Sequence, residues 1–225
     1  MPPAPPAKRH PYDQWAPDAR ALDLVGDKWT LLIVRDLAGG PRRFVELQRV
    51  LPGISTEQLR SRLNRMVADG LLTRQRYREV PPRVDYELTE RARDLLPVVG
   101  ALARWGSRWA WGPPREGEAV DIGAILRCAP GLVAPSGIQG TVQVVVESPA
   151  GDRHHVLSVA DGAITYAERE EPKPDATVRG PEAEWITAFG EDGAGAKLEV
   201  TGKRKLAEAL LGGLSAVELR DAAVA

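Results

Sequence analysis

The sequence of 225 residues is 43% hydrophobic and 27% charged, the composition of an ordinary soluble globular protein with room for two domains. It contains no apolar run near the roughly 18 residues that a membrane span requires, and its start lacks the apolar core of a secretory signal. A single cysteine excludes an intrachain disulfide, so we expect a cytoplasmic protein. One cysteine and three histidines leave little material for a metal site, and neither a metal nor another cofactor is predicted.

The charge is distributed unevenly along the chain. Residues 1–112 contain 19 lysines and arginines against 13 acidic residues, whereas the remainder contains 11 against 18. A basic half beside an acidic half favours a nucleic-acid partner for the basic half. Two solvated surfaces can also differ in charge by chance, so the charge alone leaves both interpretations open.

The chain is predicted to begin with a disordered tail, followed by helices. The tail consists of residues 1–12, which are rich in proline. Apolar residues at three- and four-residue steps predict a helix over 19–37, with a break near Gly26. The sequence Gly-Gly-Pro at 39–41 ends it, and a short helix over 43–51 follows.

The next helix has a clear start signal. Ser55 and Gln58 form a predicted capping box, in which each side chain bonds the other residue's backbone amide. This helix is expected to run to about Asp69. Steps of 100° per residue place its apolar side chains on one stripe and its polar ones opposite. The predicted stripe consists of Leu59, Leu63, Met66 and Val67.

Two strands are predicted next, over 71–77 and 84–88, and Thr89 starts a final helix that reaches Trp109. Helix, helix, turn, helix, β-hairpin, helix is the order of a winged helix-turn-helix domain. A helix of this kind fits the DNA major groove, and its exposed side chains can reach base edges or phosphates. The predicted DNA-binding residues are Arg43, Ser55, Thr56, Gln58, Arg60, Ser61, Arg62, Asn64, Arg65, Arg76, Arg78 and Arg83. Arg42 and Arg74 are further candidates for contact with the DNA backbone, and a solvated arginine-rich face is the alternative for the whole set.

Five stretches resemble a known family: residues 21–30 (ALDLVGDKWT), 43–47 (RFVEL), 51–55 (LPGIS), 69–71 (DGL) and 77–89 (YREVPPRVDYELT). In unbroken order they resemble the HxlR family of bacterial winged-helix regulators. The resemblance implies a homodimer that binds an inverted-repeat operator in double-stranded DNA and pairs through its terminal helices.

By that resemblance the candidate dimer-interface residues are Leu95, Leu102 and Trp105, for which an intramolecular core role is the alternative. Family members that sense oxidants have a Cys-Pro pair before the first helix, where this chain has Ala16 and Pro17. Thiol sensing at that position is therefore excluded. Cys128 lies far along the chain, and its role is left open between a packed small residue and a sensor.

The second half is predicted to be a separate α+β domain. The winged-helix domain is assigned to residues 13–112, a linker to 113–119 and the second domain to 120–225. A helix over 121–127 is followed by strands over 142–147, 155–160, 163–166, 176–179 and 197–201, and by helices over 181–189 and 206–214. Asp161 and Gly162 predict a two-residue hairpin turn.

Three short stretches of this half, 174–180 (PDATVRG), 198–202 (LEVTG) and 206–211 (LAEALL), resemble sterol carrier protein-like lipid-binding domains. The resemblance implies a mainly antiparallel sheet backed by helices around an apolar cavity. We hypothesise that a hydrophobic small molecule binds there and changes operator affinity. The candidate lining residues are Trp185, Ile186, Phe189, Leu210 and Leu214, for which plain hydrophobic core is the alternative.

Other function classes receive less support. No phosphate-binding loop, nucleophile elbow or metal-ligand spacing appears, so an enzyme is not predicted. His154 and His155 are adjacent on a strand, project to opposite faces and are interpreted as surface residues. The hypothesis is a dimeric DNA-binding transcriptional regulator. Repression is the expected action, because a dimer bound near a promoter can exclude the polymerase. The alternatives are a winged-helix protein-interaction module and a regulator whose second domain only dimerises.

Overall fold

The fold is described from a computed structural model that covers residues 11–78, 83–133, 137–190 and 193–215. Most of the predicted tail over 1–12 and the loop of the predicted hairpin lie outside the described residues. Contacts divide the chain into two compact units, residues 1–96 and 97–225, which are described separately. The sequence places the boundary later, at 113–119. The difference is the long helix that ends at Trp109, because this helix belongs by its contacts to the second unit.

The first unit has the predicted order of helices and strands. It consists of α1 (Pro17–Val25), α2 (Thr30–Asp36), β1 (Arg42–Arg43), α3 (Phe44–Val50), α4 (Thr56–Ala68), β2 (Leu72–Tyr77), β3 (Arg83–Leu88) and α5 (Glu90–Arg93). The break near Gly26 is present. The carboxylate of Asp27 accepts hydrogen bonds from the backbone amides of Trp29 and Thr30 at 2.9 and 3.1 Å, and so caps the start of α2.

The two predicted strands of the hairpin pair antiparallel, from Leu72 opposite Leu88 to Tyr77 opposite Arg83. The two-residue strand β1 adds to the other side of β3, which gives an antiparallel sheet in the order β1-β3-β2. β1 was not predicted, since two residues are too few to produce an alternating pattern. β2 is therefore an edge strand, and only its first residue, Leu72, is buried.

The core of the first unit lies beneath α4. Leu59, Leu63 and Met66 are buried as predicted, together with Ile33 of α2 and Leu47 of α3. The apolar stripe fixes which side of α4 faces inward. Its opposite side is thereby turned to solvent.

The predicted single helix from Thr89 to Trp109 is wrong in one respect, because the structure divides it into α5 and α6 (Leu96–Trp109). The Thr89 hydroxyl accepts a hydrogen bond from the Ala92 amide and caps α5. Pro97 explains the break, since it has no amide hydrogen and is tolerated only in the first turn of a helix.

The second unit is an α+β domain. After α6 come α7 (Ile122–Leu126), α8 (Ala129–Leu132), β4 (Gly140–Glu147), β5 (Arg153–Ala160), β6 (Ala163–Ala167), β7 (Ala176–Pro181), α9 (Glu182–Phe189), a short 3₁₀ turn, β8 (Glu199–Gly202) and α10 (Arg204–Gly212). Five strands form one sheet in the order β6-β5-β4-β7-β8, in which only the β4–β7 pair is parallel. The predicted turn between β5 and β6 is confirmed, with positive φ angles of 51° at Asp161 and 73° at Gly162.

One face of this sheet forms the core of the domain. Alternate residues of β4, such as Val142 and Val144, pack with Leu126 of α7, Trp185 of α9 and Leu210 of α10. The Trp185 indole nitrogen donates to the carbonyl oxygens of Val145 and Gly180 at 3.2 and 3.1 Å. This side chain is therefore both packed and hydrogen-bonded.

The interpretation of His155 as a surface residue is wrong, because it is 1% exposed. It shares a strand face with Leu157 and Val159, and α7 covers that end of β5. A methyl group placed on Gly123 of α7 would lie only 2.9 Å from the His155 ring. His154 projects from the other face of the sheet and is half-buried.

Candidate nucleic-acid interface

The start of α4 is built by the predicted capping box. The Gln58 amide donates to the Ser55 hydroxyl at 3.2 Å, and the Ser55 amide donates to the Gln58 side-chain oxygen at 3.1 Å. The Gln48 side chain of α3 donates to the Thr56 hydroxyl at 2.7 Å and ties the same end of α4 to α3. These bonds fix where the helix begins and how its first turn is held.

The outward side of α4 presents hydrogen-bond donors and acceptors of the types that can contact base edges. Its exposed residues include Ser55, Thr56, Gln58, Arg60, Ser61 and Asn64. Arg60 pairs with Glu57 at 3.1 Å, but both side chains are largely exposed. Exposed pairs of this kind contribute little free energy, so the Arg60 guanidinium can exchange this partner for a phosphate or a base at small cost.

Arg62 and Arg65 lie on the same helix but are held by the protein. Arg62 Nη1 lies 2.9 Å from Asp27 Oδ2, which joins α4 to the start of α2. Arg65 Nε donates to Asp69 Oδ2 at 3.0 Å, and Asp69 is 4% exposed. Both arginines therefore stabilise the position and the end of α4, a role that helical spacing alone did not show.

The hairpin supplies a second set of cations. Arg74, Arg76 and Arg78 alternate along the edge strand β2 and just beyond it, and all three are exposed. Residues two apart on a strand are separated by roughly 7 Å and project from the same face. The arginines therefore form a row that can follow a phosphate backbone.

Arg83 differs from the other hairpin arginines. Its Nε lies 2.9 Å from both carboxylate oxygens of Asp85, which is 2% exposed, and its guanidinium lies 5.2 Å from the centre of the Tyr77 ring. It thus braces the base of the hairpin. Arg42 is likewise held by the protein, since it is 9% exposed and donates to the Asp36 carbonyl at 2.8 Å, whereas Arg43 is exposed.

Sequence reasoning missed Asp27, which has two functions at this interface. It caps α2 and pairs with Arg62 of α4. The first function was signalled by an Asp placed two residues before Trp29 and three before Thr30, a common helix-capping arrangement. The second depends on a contact between residues 35 positions apart and has no local signal.

The predicted interface and pocket residues occupy different environments. Leu102 and Trp105 are 52% and 62% exposed on α6, whereas Leu95 is half-buried before it. Trp185, Phe189, Leu210 and Leu214 are buried in the second domain's core, and Ile186 packs against it half-buried. Cys128 is half-buried and its sulfur lies 3.4 Å from the Ala124 carbonyl oxygen.

Within the described parts of the chain, no cluster of three or more His, Cys, Asp or Glu side chains has the geometry to hold a metal ion. No helix there is both long and apolar enough to cross a membrane.

Comparison with known proteins identifies the first part of the chain. The family model for HxlR-like helix-turn-helix proteins matches residues 24–112. A helix-turn-helix type transcriptional regulator of Synechocystis is 42% identical over 93 residues, which are 41% of this chain and 69% of that protein. The regulator YkvN of Bacillus subtilis is 38% identical over 96 residues, which are 43% of this chain and 81% of that protein. The chain belongs to the HxlR family.

The HxlR match ends at residue 112 and includes α2 to α6. Its helix-turn-helix is formed by α3 and α4, and its wing by β2 and β3. A solved structure of the redox regulator HypR in its reduced form is 37% identical and covers 40% of this chain and 90% of that chain, with a TM-score of 0.39. The HxlR domain of the present chain is a DNA-binding domain of a transcriptional regulator.

Proposed function

We propose that the chain is a homodimeric repressor that binds an inverted-repeat operator through α4 and the β2–β3 hairpin. The observation that carries this proposal is the outward side of α4, where a capped helix start leads into exposed Gln58, Ser61 and Asn64. Side chains of these types discriminate base pairs in the major groove, and the exposed amides of a helix start can bind a phosphate.

The candidate residues divide by their contacts. Gln58, Arg60, Ser61 and Asn64 are proposed to reach base edges, while Ser55 and Thr56 position the helix against the backbone. Arg43, Arg76 and Arg78 are proposed to contact phosphates, with Arg74 beside them. Arg62, Arg65 and Arg83 are already bonded to carboxylates, and their main role is to hold α4 and the hairpin in place.

A dimer is proposed because an inverted repeat requires two recognition helices related by a two-fold axis. Leu102 and Trp105 are exposed on α6, and Val98 and Trp109 extend the same apolar stripe. An exposed stripe of this size on a globular protein marks an interaction surface. The partner proposed for it is the α6 stripe of a second copy, with Leu95 at its margin.

The experiment compares variants in a salt titration of binding to the operator and to a scrambled duplex. Asn64→Ala is expected to weaken operator binding more than scrambled binding, because it removes a base contact. Arg76→Ala is expected to weaken both and to reduce the salt slope by about 1. Arg115→Ala is the matched control, since it removes the same charge from an exposed position in the linker. Equal losses for Asn64→Ala on both duplexes would reject base reading by α4.

For the second domain we propose a sterol-carrier-like fold that binds a hydrophobic small molecule. The five-stranded sheet with helices packed on one apolar face supports this proposal. Because Trp185, Phe189, Leu210 and Leu214 are packed in the core, a ligand would have to open space between them. Thermal unfolding with a panel of apolar compounds tests the proposal. A melting temperature that no compound shifts would favour a domain that only contributes to dimerisation.

A further inference from the structure

Helix α6 has two separate apolar faces. Steps of 100° per residue place Val98, Leu102, Trp105 and Trp109 within an arc of about 60°, and all four are exposed. We call this set the front face. A second apolar face, turned away from the first, consists of Val99, Gly100 and Ala103. We call it the back face. An amphipathic surface helix normally has only one apolar stripe, so the second requires an explanation.

The back face contacts α8 of the second domain at Gly100. Val99 and Gly100 are buried, and Ala103 packs against the domain core. At Gly100 the two backbones approach so closely that a Cβ atom would lie 1.9 Å from the Gly131 carbonyl oxygen and 2.2 Å from its carbonyl carbon. No side chain larger than hydrogen fits this contact without a displacement of one backbone.

Two polar contacts secure the same arrangement. Arg104 Nη2 donates to the Leu132 carbonyl at the end of α8, at 3.1 Å. The Trp111 indole nitrogen donates to the Phe189 carbonyl at the end of α9, at 3.3 Å. Phe189 in turn stacks on Trp185 with ring centroids 5.8 Å apart. Both α8 and α9 therefore hold the segment that contains α6.

We infer that the second domain controls the dimer through α6, whose back face it holds while the front face binds a second copy. This inference rests on the proposed function, because the front-face partner is the proposed dimer. Leu132 of α8 belongs to the same core cluster as Trp185, Leu210 and Leu214. Since protein interiors are close-packed, a hydrophobic ligand that enters this core must displace the elements around it. Displacement of α8 or α9 then moves α6 and changes the geometry of the front face.

The consequence is a coupling between ligand and operator in the full chain. Consider a ligand that binds one arrangement of α8 better than another. It can change the free energy of dimerisation by no more than the difference between its binding free energies for the two arrangements. The coupling is reciprocal, so a dimer locked on its operator changes the affinity for the ligand by the same factor.

The test uses two glycines of the same helix. Gly100→Ala forces the back face and α8 apart. Gly106→Ala is the matched control, because among the described residues no atom beyond its neighbours in the same helix lies within 4 Å of a Cβ at that position. The dimer dissociation constant is measured by sedimentation of the full chain, and operator affinity by fluorescence anisotropy. We expect Gly100→Ala to weaken dimerisation at least tenfold and operator binding with it, and Gly106→Ala to change neither by more than twofold.

A second variant covers the case in which Gly100→Ala does not fold. Trp111→Phe keeps an aromatic ring but removes the indole N–H that donates to the Phe189 carbonyl. We expect this variant to weaken dimerisation by at least threefold. Folding is checked by circular dichroism. Dimerisation within twofold of wild type in folded Gly100→Ala, or in Trp111→Phe if the former is unfolded, overturns the inference.

Hydrogen exchange of the amides in α6 and α8 separates this inference from the proposed function. Faster exchange in Gly100→Ala than in Gly106→Ala reports undocking of the back face without reference to DNA or to a second copy. A wild-type chain that is monomeric and binds no operator overturns the proposed function, and the inference with it. A wild-type dimer that binds its operator, beside a Gly100→Ala variant that is undocked but equally dimeric, overturns the inference alone.

Discussion

Asp27 Oδ2 lies 2.9 Å from Arg62 Nη1, and this ion pair connects the start of α2 to α4, the proposed recognition helix. The same carboxylate caps α2 through the amides of Trp29 and Thr30. The two side chains are 19% and 29% exposed, so water screens the pair only partly. One residue outside α4 thus helps to set the position of this helix in the winged-helix domain.

We expect Asp27→Asn and Asp27→Ala to differ in their effect on stability. Asn keeps an oxygen that can cap α2 but removes the charge, so it should cost less than Ala, which also loses the cap worth about 1 kcal/mol. A double-mutant cycle of Asp27→Asn with Arg62→Ala should give a coupling free energy of about 0.5–1 kcal/mol, measured by urea unfolding. Strictly additive effects would show that the pair contributes nothing.

Arg65→Ala should destabilise the first domain by about 2 kcal/mol. It leaves the Asp69 carboxylate, which is 4% exposed, without its Arg65 partner. Arg60→Ala on the same helix is the control, because its pair with Glu57 is exposed, and the expected change is below 0.5 kcal/mol. Guanidinium unfolding measures both. Equal stabilities of the two variants would contradict the bracing role of Arg65.

We expect a lower pH to reduce the free energy of unfolding of the second domain, because His155 is buried in its neutral form. Burial lowers the pKa of this imidazole to about 4, and its Nδ1 lies 2.8 Å from the Tyr166 hydroxyl. The unfolded chain takes up this proton near pH 6.5, while the folded chain takes it up only near pH 4. The unfolded state therefore binds more protons between these values, and the free energy of unfolding falls as the pH is lowered through this window.

The measurement is the free energy of unfolding from pH 7 to pH 4.5, for wild type and for His155→Gln. We expect wild type to lose up to about 1.4 kcal/mol per pH unit from this group, and His155→Gln to lose that part of the slope. His154→Gln leaves the buried imidazole in place and should keep the slope. A slope that survives in His155→Gln would assign it to other groups.

Ser55→Ala tests the cap that starts α4. Loss of the bond from the Gln58 amide should reduce stability by about 1 kcal/mol. Because the first turn of α4 is proposed to lie on DNA, operator affinity should fall as well. Ser55→Asp retains a capping oxygen and should recover stability but not affinity, since it adds a negative charge beside a phosphate. Recovery of both would argue against DNA contact at this end of the helix.

Features that depend on residues close together in the sequence could be predicted. The Ser55–Gln58 capping box, the Asp161–Gly162 turn and the buried stripe of α4 are all set within a few residues. The break before α6 was also signalled, by Pro97, but the apolar periodicity on both sides of it led to one continuous helix.

Features that depend on distant contacts were not predicted. The residue pattern of α4 showed five uncharged polar candidates and three arginines, but it did not show that Asp27 would reach Arg62. The burial of His155 could not be predicted from its strand, because it results from the packing of α7 over this residue. The packing of the back face of α6 could not be predicted either, because the contact between Gly100 and Gly131 joins two separate helices. The coarse function, a helix-turn-helix DNA-binding domain, could therefore be predicted from the sequence. The carboxylate partners of Arg62, Arg65 and Arg83 could not.

We propose that α4 recognises a specific DNA sequence. The most direct test of this proposal is the binding of the wild-type full chain to DNA upstream of its own gene and to a scrambled duplex of equal length, at one near-physiological salt concentration. We predict affinity at least about 10³-fold higher for the upstream DNA, with two chains bound per site. Equal affinity for both duplexes at this salt concentration would contradict the proposal.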